Sequence, residues 1–311
     1  MLNRENKDVQ GVVIAPGNYD GVHLGHQRLL ARAREISAEQ GLLTRALTFD
    51  PHPAVLFAPG RAPEPMTTLA RRRELLLAHG ADEVEIAKFD REYASQTPEE
   101  FVQRLQVSGM RTMVVGHDFR FGKGAAGTVE VLRGLGARRG FAVHVEEPVL
   151  DGGKRISSSA IREALREGRV EDAARLLGHV HDLSGIVEQG DGRGRTLGFP
   201  TANLRCAPVL RPADGVYAVF VRRLGVPTEL LPGVANLGLR PTFHAGRSLE
   251  VHLLNFEGPL YGEALRVGFV ARLRGEVRFP DVAALQLQID KDCRAAERML
   301  EGCDRRLSAW I

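Results

Sequence analysis

A chain of 311 residues is longer than one hydrophobic core usually supports, and at about 150 residues per domain it reads as two domains. With 43% hydrophobic and 26% charged residues it can bury a core, which excludes wholesale disorder, and no apolar run approaches the ~18 residues of a membrane span. The net charge is +3, without the basic stripe interleaved with aromatics that nucleic-acid binding calls for. The longest basic run, Arg71-Arg72-Arg73, falls in a predicted helix and reads as a solvated face. Residues 1–8 are polar and carry acids, unlike a secretory signal. Cys206, Cys293 and Cys303 are far apart, so a reducing cytoplasm is expected.

In chain order, Val9–Ile14 is an apolar run ended by Pro16-Gly17 and predicts a buried strand. His26–Gln40 carries Leu29, Leu30, Ala33 and Ile36 at helical spacing, with Gly41 as its stop. A strand over Leu42–Phe49 and a helix over Thr68–His79 follow. Thr97-Pro98-Glu99-Glu100 is a capping box opening a helix through Leu105. Met113–Val115 predicts a strand, 129–138 a helix and Ala142–Val145 a strand, and two short helices cover Ser159–Arg166 and Val170–Leu177. Such alternation predicts an α/β domain with a parallel sheet covered on both faces. After Leu177 the chain turns to short β-branched and aromatic runs such as Gly215-Val-Tyr-Ala-Val-Phe-Val, which predict a small antiparallel barrel. Helical periodicity returns from Val282 to about Leu300. The domains expected are 1–180 and 181–311.

At the first strand–helix junction stands Gly17-Asn-Tyr-Asp-Gly-Val-His-Leu-Gly-His26. An α/β sheet presents ligands at the carboxyl ends of its strands, and glycines there let backbone approach a ligand. His23 and His26 are three apart at a helix start, where free N–H groups favour an anion. Alone, His-x-x-His is a chance pair or an incomplete metal pair; in this setting it points to a nucleotide triphosphate and nucleotidyl transfer. That reaction requires no protein nucleophile, only in-line positioning and charge stabilisation. Arg155-Ile-Ser-Ser-Ser-Ala-Ile-Arg162 offers serines at a helix start and an arginine one turn in, either a second phosphate grip or a serine N-cap before a surface arginine.

Gly122-Lys-Gly-Ala-Ala-Gly127 fits G-x-G-x-x-G but does not follow a strand directly, so a flexible substrate loop is the better reading than a dinucleotide fingerprint. No P-loop motif occurs. In the second half, Gly192-Arg-Gly194-Arg-Thr-Leu-Gly-Phe-Pro-Thr201-Ala-Asn203-Leu joins a glycine-rich loop to an extended segment. Thr201 and Asn203 share a face and offer hard oxygens that Mg²⁺ accepts. Glu250 alternates with apolar residues in a strand; it either faces solvent or stands as a general base.

These stretches resemble the bifunctional riboflavin kinase/FMN adenylyltransferase family of bacteria. The matching runs are GNYDGVHLGHQ, TFDPHP, VVGHDFRFGKG, RISSSAIREAL, GRGRTLGFPTANL, DGVYAV, GVANLGLRPTF, LEVHLL and LYGE, in the family's order across both halves. The resemblance implies a Rossmann-like nucleotidylyltransferase domain that transfers AMP from ATP to FMN, giving FAD and pyrophosphate. It implies a barrel that phosphorylates riboflavin to FMN, both steps using ATP and Mg²⁺. By motif position His23 and His26 would hold ATP phosphates in catalysis, with Gly17, Asn18, Asp20 and Gly25 around the nucleotide. Ser158, Ser159 and Arg162 would grip phosphate, and Asp118, Phe121 and Arg274 would lie near flavin or adenine. Gly194, Thr201 and Asn203 would carry Mg-ATP in the kinase, and Glu250 would be its base. The partners expected are riboflavin, FMN and ATP, with no nucleic acid or membrane, and a monomer or weak homo-oligomer. Ala125 stands where a basic residue is common, and His179-Val180-His181 replaces the usual Arg-Pro-Tyr at the junction. Two other readings stay open: adenylyl transfer to a different acceptor with a flavin-binding regulatory barrel, and a non-enzymatic flavin- or RNA-binding regulator.

Overall fold

A computed structural model describes residues 11–189, 194, 198–226, 230–239 and 247–303. Gly192, Arg193 and residues 195–197 of the glycine-rich run lie outside the described residues, as does Val9 of the first predicted strand. The chain forms two compact units. The first runs to Glu64 and from Leu69 to Ile156; the second takes Pro65–Thr68 and the chain from Ser157.

In the first unit, β1 (Val12–Pro16), β2 (Leu43–Asp50), β3 (Glu83–Lys88), β4 (Met110–Gly116) and β5 (Ala142–Glu146) form a parallel sheet ordered β3-β2-β1-β4-β5. All of β1 is buried, as an apolar run covered on both faces must be. The strand order reverses between β1 and β4, the place where such sheets take ligands. Helix α1 (Leu24–Gln40) starts there and stops at Gly41 with φ 68°, a left-handed cap that glycine adopts freely. The short α2 (Pro53–Phe57), then α3 (Leu69–Ala78), α4 (Arg91–Ser95), α5 (Pro98–Val107) and α6 (Val129–Arg139) follow. The predicted capping box of α5 is present, Thr97 Oγ1 accepting from Glu100 N at 3.2 Å and Thr97 N donating to Glu100 Oε2 at 2.7 Å. Strand β3 is not anticipated from the sequence. Its Glu-Val-Glu-Ile-Ala-Lys composition suits an edge strand, with Glu83 and Glu85 half-buried against Arg45 and Arg104, and these acids hide its apolar signal.

Arg71 and Arg72 depart from expectation: on α3 they are 8% and 5% exposed, and only Arg73 faces solvent. Arg71 pairs with Glu74 at 3.0 Å. Arg72 donates to Phe49 O at 3.2 Å and Thr48 Oγ1 at 3.4 Å, both at the carboxyl end of β2. A run of like charge reads as solvated only while carbonyl and hydroxyl acceptors below it go unseen.

A two-strand ribbon of β6 (Leu150–Asp151) and β7 (Lys154–Arg155) ends the first unit. The second begins with α7 (Ser158–Arg166) and α8 (Val170–Leu177), then builds a closed antiparallel barrel. Its strands are β8 (His181–Glu188), β9 (Ala202–Cys206), β10 (Gly215–Arg223), β11 (Leu231–Leu239), β12 (Arg247–Leu253) and β13 (Ala264–Arg274), ordered β10-β11-β12-β9-β8-β13. Helix α9 (Val282–Glu301) packs Cys293, Ala296 and Leu300 against Ala218, Phe220 and Ala271. Both junction histidines are buried in this unit; His181 Nε2 lies 3.0 Å from Leu210 O and its ring stacks on Phe269. Arg272 ties α7 and α8 to the barrel, its Nη1 donating to Glu167 O at 3.1 Å and its backbone N to Glu171 Oε1 at 3.0 Å. Packing therefore divides the chain at Ile156/Ser157, whereas its texture changes only after Leu177. Texture follows secondary-structure type; packing follows contacts.

Candidate functional site

The loop Gly17–His23 between β1 and α1 is strained. Tyr19 (φ 52°), Gly21 (φ 79°) and Val22 (φ 42°) are all left-handed, which costs about 1–2 kcal/mol at each non-glycine residue. Hydrogen bonds hold it. Tyr19 Oη donates to Ala15 O at 2.9 Å and Gln27 Nε2 to Val22 O at 2.8 Å. Thr48 Oγ1 donates to Asn18 O at 3.2 Å, and Gly17 N to Leu47 O at 2.9 Å. Strain overdetermined in this way is characteristic of functional loops. A Cβ at Gly17 would press on the Tyr19 ring at 3.1 Å, and one at Gly25 on the His23 ring at 3.1 Å, so both glycines make room for aromatic packing.

His23 is the N-cap of α1, its Nδ1 accepting from His26 N at 3.4 Å. The two imidazoles stack with centroids 3.7 Å apart, and the Tyr19 ring meets His26 edge-on at 5.0 Å. His26 Nδ1 is enclosed and has no hydrogen-bond partner among the described residues. Burial holds the His26 pKa well below the usual imidazole value, and the charges of His23, Arg72 and Arg155 push the same way. The His-x-x-His pair is thus a stacked pair at a helix N-terminus with no acid in its first turn, a setting that favours an anion.

Around it, Asp20 is 2% exposed and Asn18 is exposed. Arg72, which sequence reading assigned to solvent, belongs to this neighbourhood. Burial pushes its guanidinium pKa down, opposed by the carboxylates of Asp20 and Asp50. Asp118, just past β4, pairs with Arg155 at 2.8 Å. Phe121 lies in the core, tilted on Phe101 and stacked with Phe119, and a Cβ at Gly127 would collide with its ring. The Gly122–Gly127 segment is a tight turn closed by Phe121 N to Gly127 O at 3.1 Å, with Gly124 and Ala125 left-handed. Phe57 on α2 is exposed, edge-on to Phe89 at 5.9 Å; no periodicity marks it in so short a helix. On α7, Ser157 supplies the N-cap, accepting from Ala160 N at 3.3 Å, and leaves Ser158 and Ser159 in the first turn. Arg162 is 7% exposed, which removes the surface-arginine alternative.

In the barrel, β9 and β12 alternate, with Ala202, Leu204, Leu249 and Val251 buried and Asn203 and Glu250 half-buried on the other face. Register places Glu250 directly opposite Asn203 on β9 and Asn236 on β11. Paired residues in antiparallel strands lie on one face, so an amide flanks the carboxylate on each side. Asn236 is the addition that sequence spacing could not supply, because pairing is decided between distant strands. Gly194 accepts from Phe199 N at 2.8 Å, and a Cβ there would collide with Phe199 O and lie 3.0 Å from Thr201 Oγ1. His252 Nδ1, on the same face as Glu250, lies 2.8 Å from Pro200 O. Arg274 departs from a free flavin contact: its guanidinium forks onto Asp292 of α9 at 2.8–3.2 Å and lies over Phe279.

Two family models match the chain, FAD synthetase over residues 5–160 and riboflavin kinase over 177–300. A bifunctional riboflavin kinase/FMN adenylyltransferase of Escherichia coli (strain K12) is 41% identical over 286 residues, 91% of each chain. One of Haemophilus influenzae is 38% identical over 299 residues, 95% of this chain and 96% of its own. Among solved structures, a Streptococcus pneumoniae protein described as a macrolide-efflux protein superposes with TM-score 0.83 at 30% identity, covering 92% of this chain and 94% of that one. Among the described residues, no helix is long and apolar enough to cross a membrane. The order of the two matched models, and relatives aligned over nine-tenths of their length, place the chain in the bifunctional riboflavin kinase/FMN adenylyltransferase family.

Proposed function

We propose that the two activities divide at about residue 180, with FMN adenylylation in 1–180 and riboflavin phosphorylation in 181–311. The observations that support this most are the stacked His23 and His26 at the head of α1 and the register that sets Glu250 between Asn203 and Asn236 in the barrel. In the first, an FMN phosphate oxygen attacks the α-phosphorus of ATP and pyrophosphate leaves. His23 and His26 with the α1 N-terminus receive the triphosphate, and Gly17, Asn18, Asp20 and Gly25 shape the nucleotide's place. Asp118 orients Arg155. The exposed Phe57 ring is the better surface for the isoalloxazine, Phe121 serving the core beneath.

In the kinase, Glu250 takes the proton of the ribityl hydroxyl as its oxygen attacks the γ-phosphorus and ADP departs. Gly194 leaves room for the loop over Thr201. Thr201 and Asn203 fit Mg²⁺ by donor chemistry, being hard oxygens beside a carboxylate; no group of three His, Cys, Asp or Glu among the described residues competes for a metal. When bound, the ion would neutralise charge on the phosphates. Arg274 holds the barrel to α9 through Asp292 and acts on flavin only indirectly. The setting we favour is a reducing cytoplasm, the chain acting on small molecules as a monomer or weak homo-oligomer without nucleic acid. The cysteines are free, and burial pushes the Cys206 and Cys293 thiols up to about 11. The test is incubation with riboflavin, ATP and Mg²⁺, followed by separation of the flavins. FMN should appear first, then FAD; formation of neither refutes the assignment.

A further inference from the structure

The buried arginine on α3 has no part in the readings above, and its surroundings are unusual. Arg72 Nη1 donates to Thr48 Oγ1 at 3.4 Å, and the same hydroxyl donates onward to Asn18 O at 3.2 Å. A continuous bridge thus runs from α3, across the end of β2, to the left-handed loop that precedes His23. A second bond to Phe49 O at 3.2 Å fixes the guanidinium against β2. Asp20, inside the loop and 2% exposed, and Asp50 attract its charge. Its Nε is enclosed with no hydrogen-bond partner among the described residues, as is His26 Nδ1. Burying a cation is costly unless opposite charges and acceptors offset it, and strongly perturbed buried charges cluster at functional sites.

We propose that Arg72 is a positioning residue for adenylyl transfer, the fixed internal cation that holds the Gly17–His23 loop in the shape that receives ATP phosphates. The proposal rests on the assignment of that loop to the adenylyltransferase. Arg72 acts through Thr48 and Asp20 and touches no substrate itself. Left-handed Tyr19 and Val22 would relax toward ordinary backbone if the loop were released, and the stacked histidines would move with it. Arg72 also adds to the positive surroundings of His26, together with His23 from the cap and Arg155 from β7, and the Tyr19 ring meets it edge-on. Burial lowers the imidazole pKa most, and all three charges push it the same way.

The experiment uses the full chain and measures two reactions in each preparation: FAD from supplied FMN and ATP, and FMN from riboflavin and ATP. Arg72→Gln should raise the KM for ATP in the first by about tenfold, a change expected when hydrogen bonds to a charged group are lost. The second should stay within about twofold, since the kinase site lies wholly in the barrel. Arg72→Lys should recover part of the loss, because charge returns without the fork. The acid limb of the pH profile for FAD formation should move to higher pH in Arg72→Gln, one of the three charges opposing His26 protonation being gone. Thr48→Val breaks the bridge without touching the charge and should raise the KM for ATP less, with no shift of the acid limb. An unchanged KM and pH profile in Arg72→Gln overturns the proposal. If that variant loses both reactions through unfolding, Thr48→Val decides: a selective rise in the KM for ATP supports the role, and an unchanged one overturns it. FAD formation surviving in His26→Ala would instead count against the adenylyltransferase assignment itself.

Discussion

The two proposed sites would take similar ligand chemistry and are assembled in opposite ways. In the α/β unit the centre is one continuous stretch, Gly17–His26, bent through three left-handed residues and stacked at a helix start. In the barrel the centre has almost no sequence continuity: Asn203, Asn236 and Glu250 come from β9, β11 and β12 and meet only through register. The first is a local, strained solution that needs internal props such as Tyr19 Oη, Gln27 and Thr48. The second is unstrained, because the pleat itself aligns paired side chains. A strained loop spends stability at the site, whereas a barrel face draws its precision from the whole ladder.

The strongest way to break that comparison is to disable each centre in turn. His26→Ala should lower FAD formation by about 10²-fold or more and leave riboflavin phosphorylation intact. Glu250→Gln should lower FMN formation by about 10²-fold while supplied FMN is still converted. Flavin separation after each incubation reads both, and cross-inhibition in either variant would refute two independent sites. Gly194→Val drives a side chain into Phe199 O and Thr201, and should raise the kinase KM for ATP about tenfold without affecting adenylyl transfer. Phe57→Ala removes the exposed aromatic and should raise the KM for FMN in adenylyl transfer about three- to tenfold, since aromatic stacking contributes ~0.5–1.5 kcal/mol. An unchanged KM would send the isoalloxazine elsewhere.

The smallest effect concerns stability. His26 is held below its unfolded value of about 6.5, so the unfolded chain takes up a proton first as the solution is acidified. Stability from this group is complete above pH ~6.5 and is lost as pH falls from there toward the folded value. The thermal midpoint of His26→Gln should therefore drop less between pH 7.5 and 5.5 than that of the unsubstituted chain.

Much of the local structure around both proposed centres was legible along the chain. Glycines, histidines and the capping box of α5 act over a turn or two, and such short-range chemistry leaves its mark in spacing. Arg72 was not legible, because its acceptors, Thr48 Oγ1 and Phe49 O, lie on a strand more than twenty residues away. Phe121 illustrates the converse. Its motif suggested a ligand contact, yet Phe101 and the space over Gly127 draw it into the core. Arg274 likewise turns to Asp292, a partner on a helix that spacing could not bring near.

By itself, then, the sequence determined the two-part organisation, the strand–helix alternation, the barrel and the residues at the α1 junction, since periodicity and caps are local physics. Tertiary structure alone decided which charges are buried, which aromatic stays exposed and which amides flank Glu250. Those outcomes depend on register and on acceptors contributed by distant strands, and neither is written in any short stretch of chain.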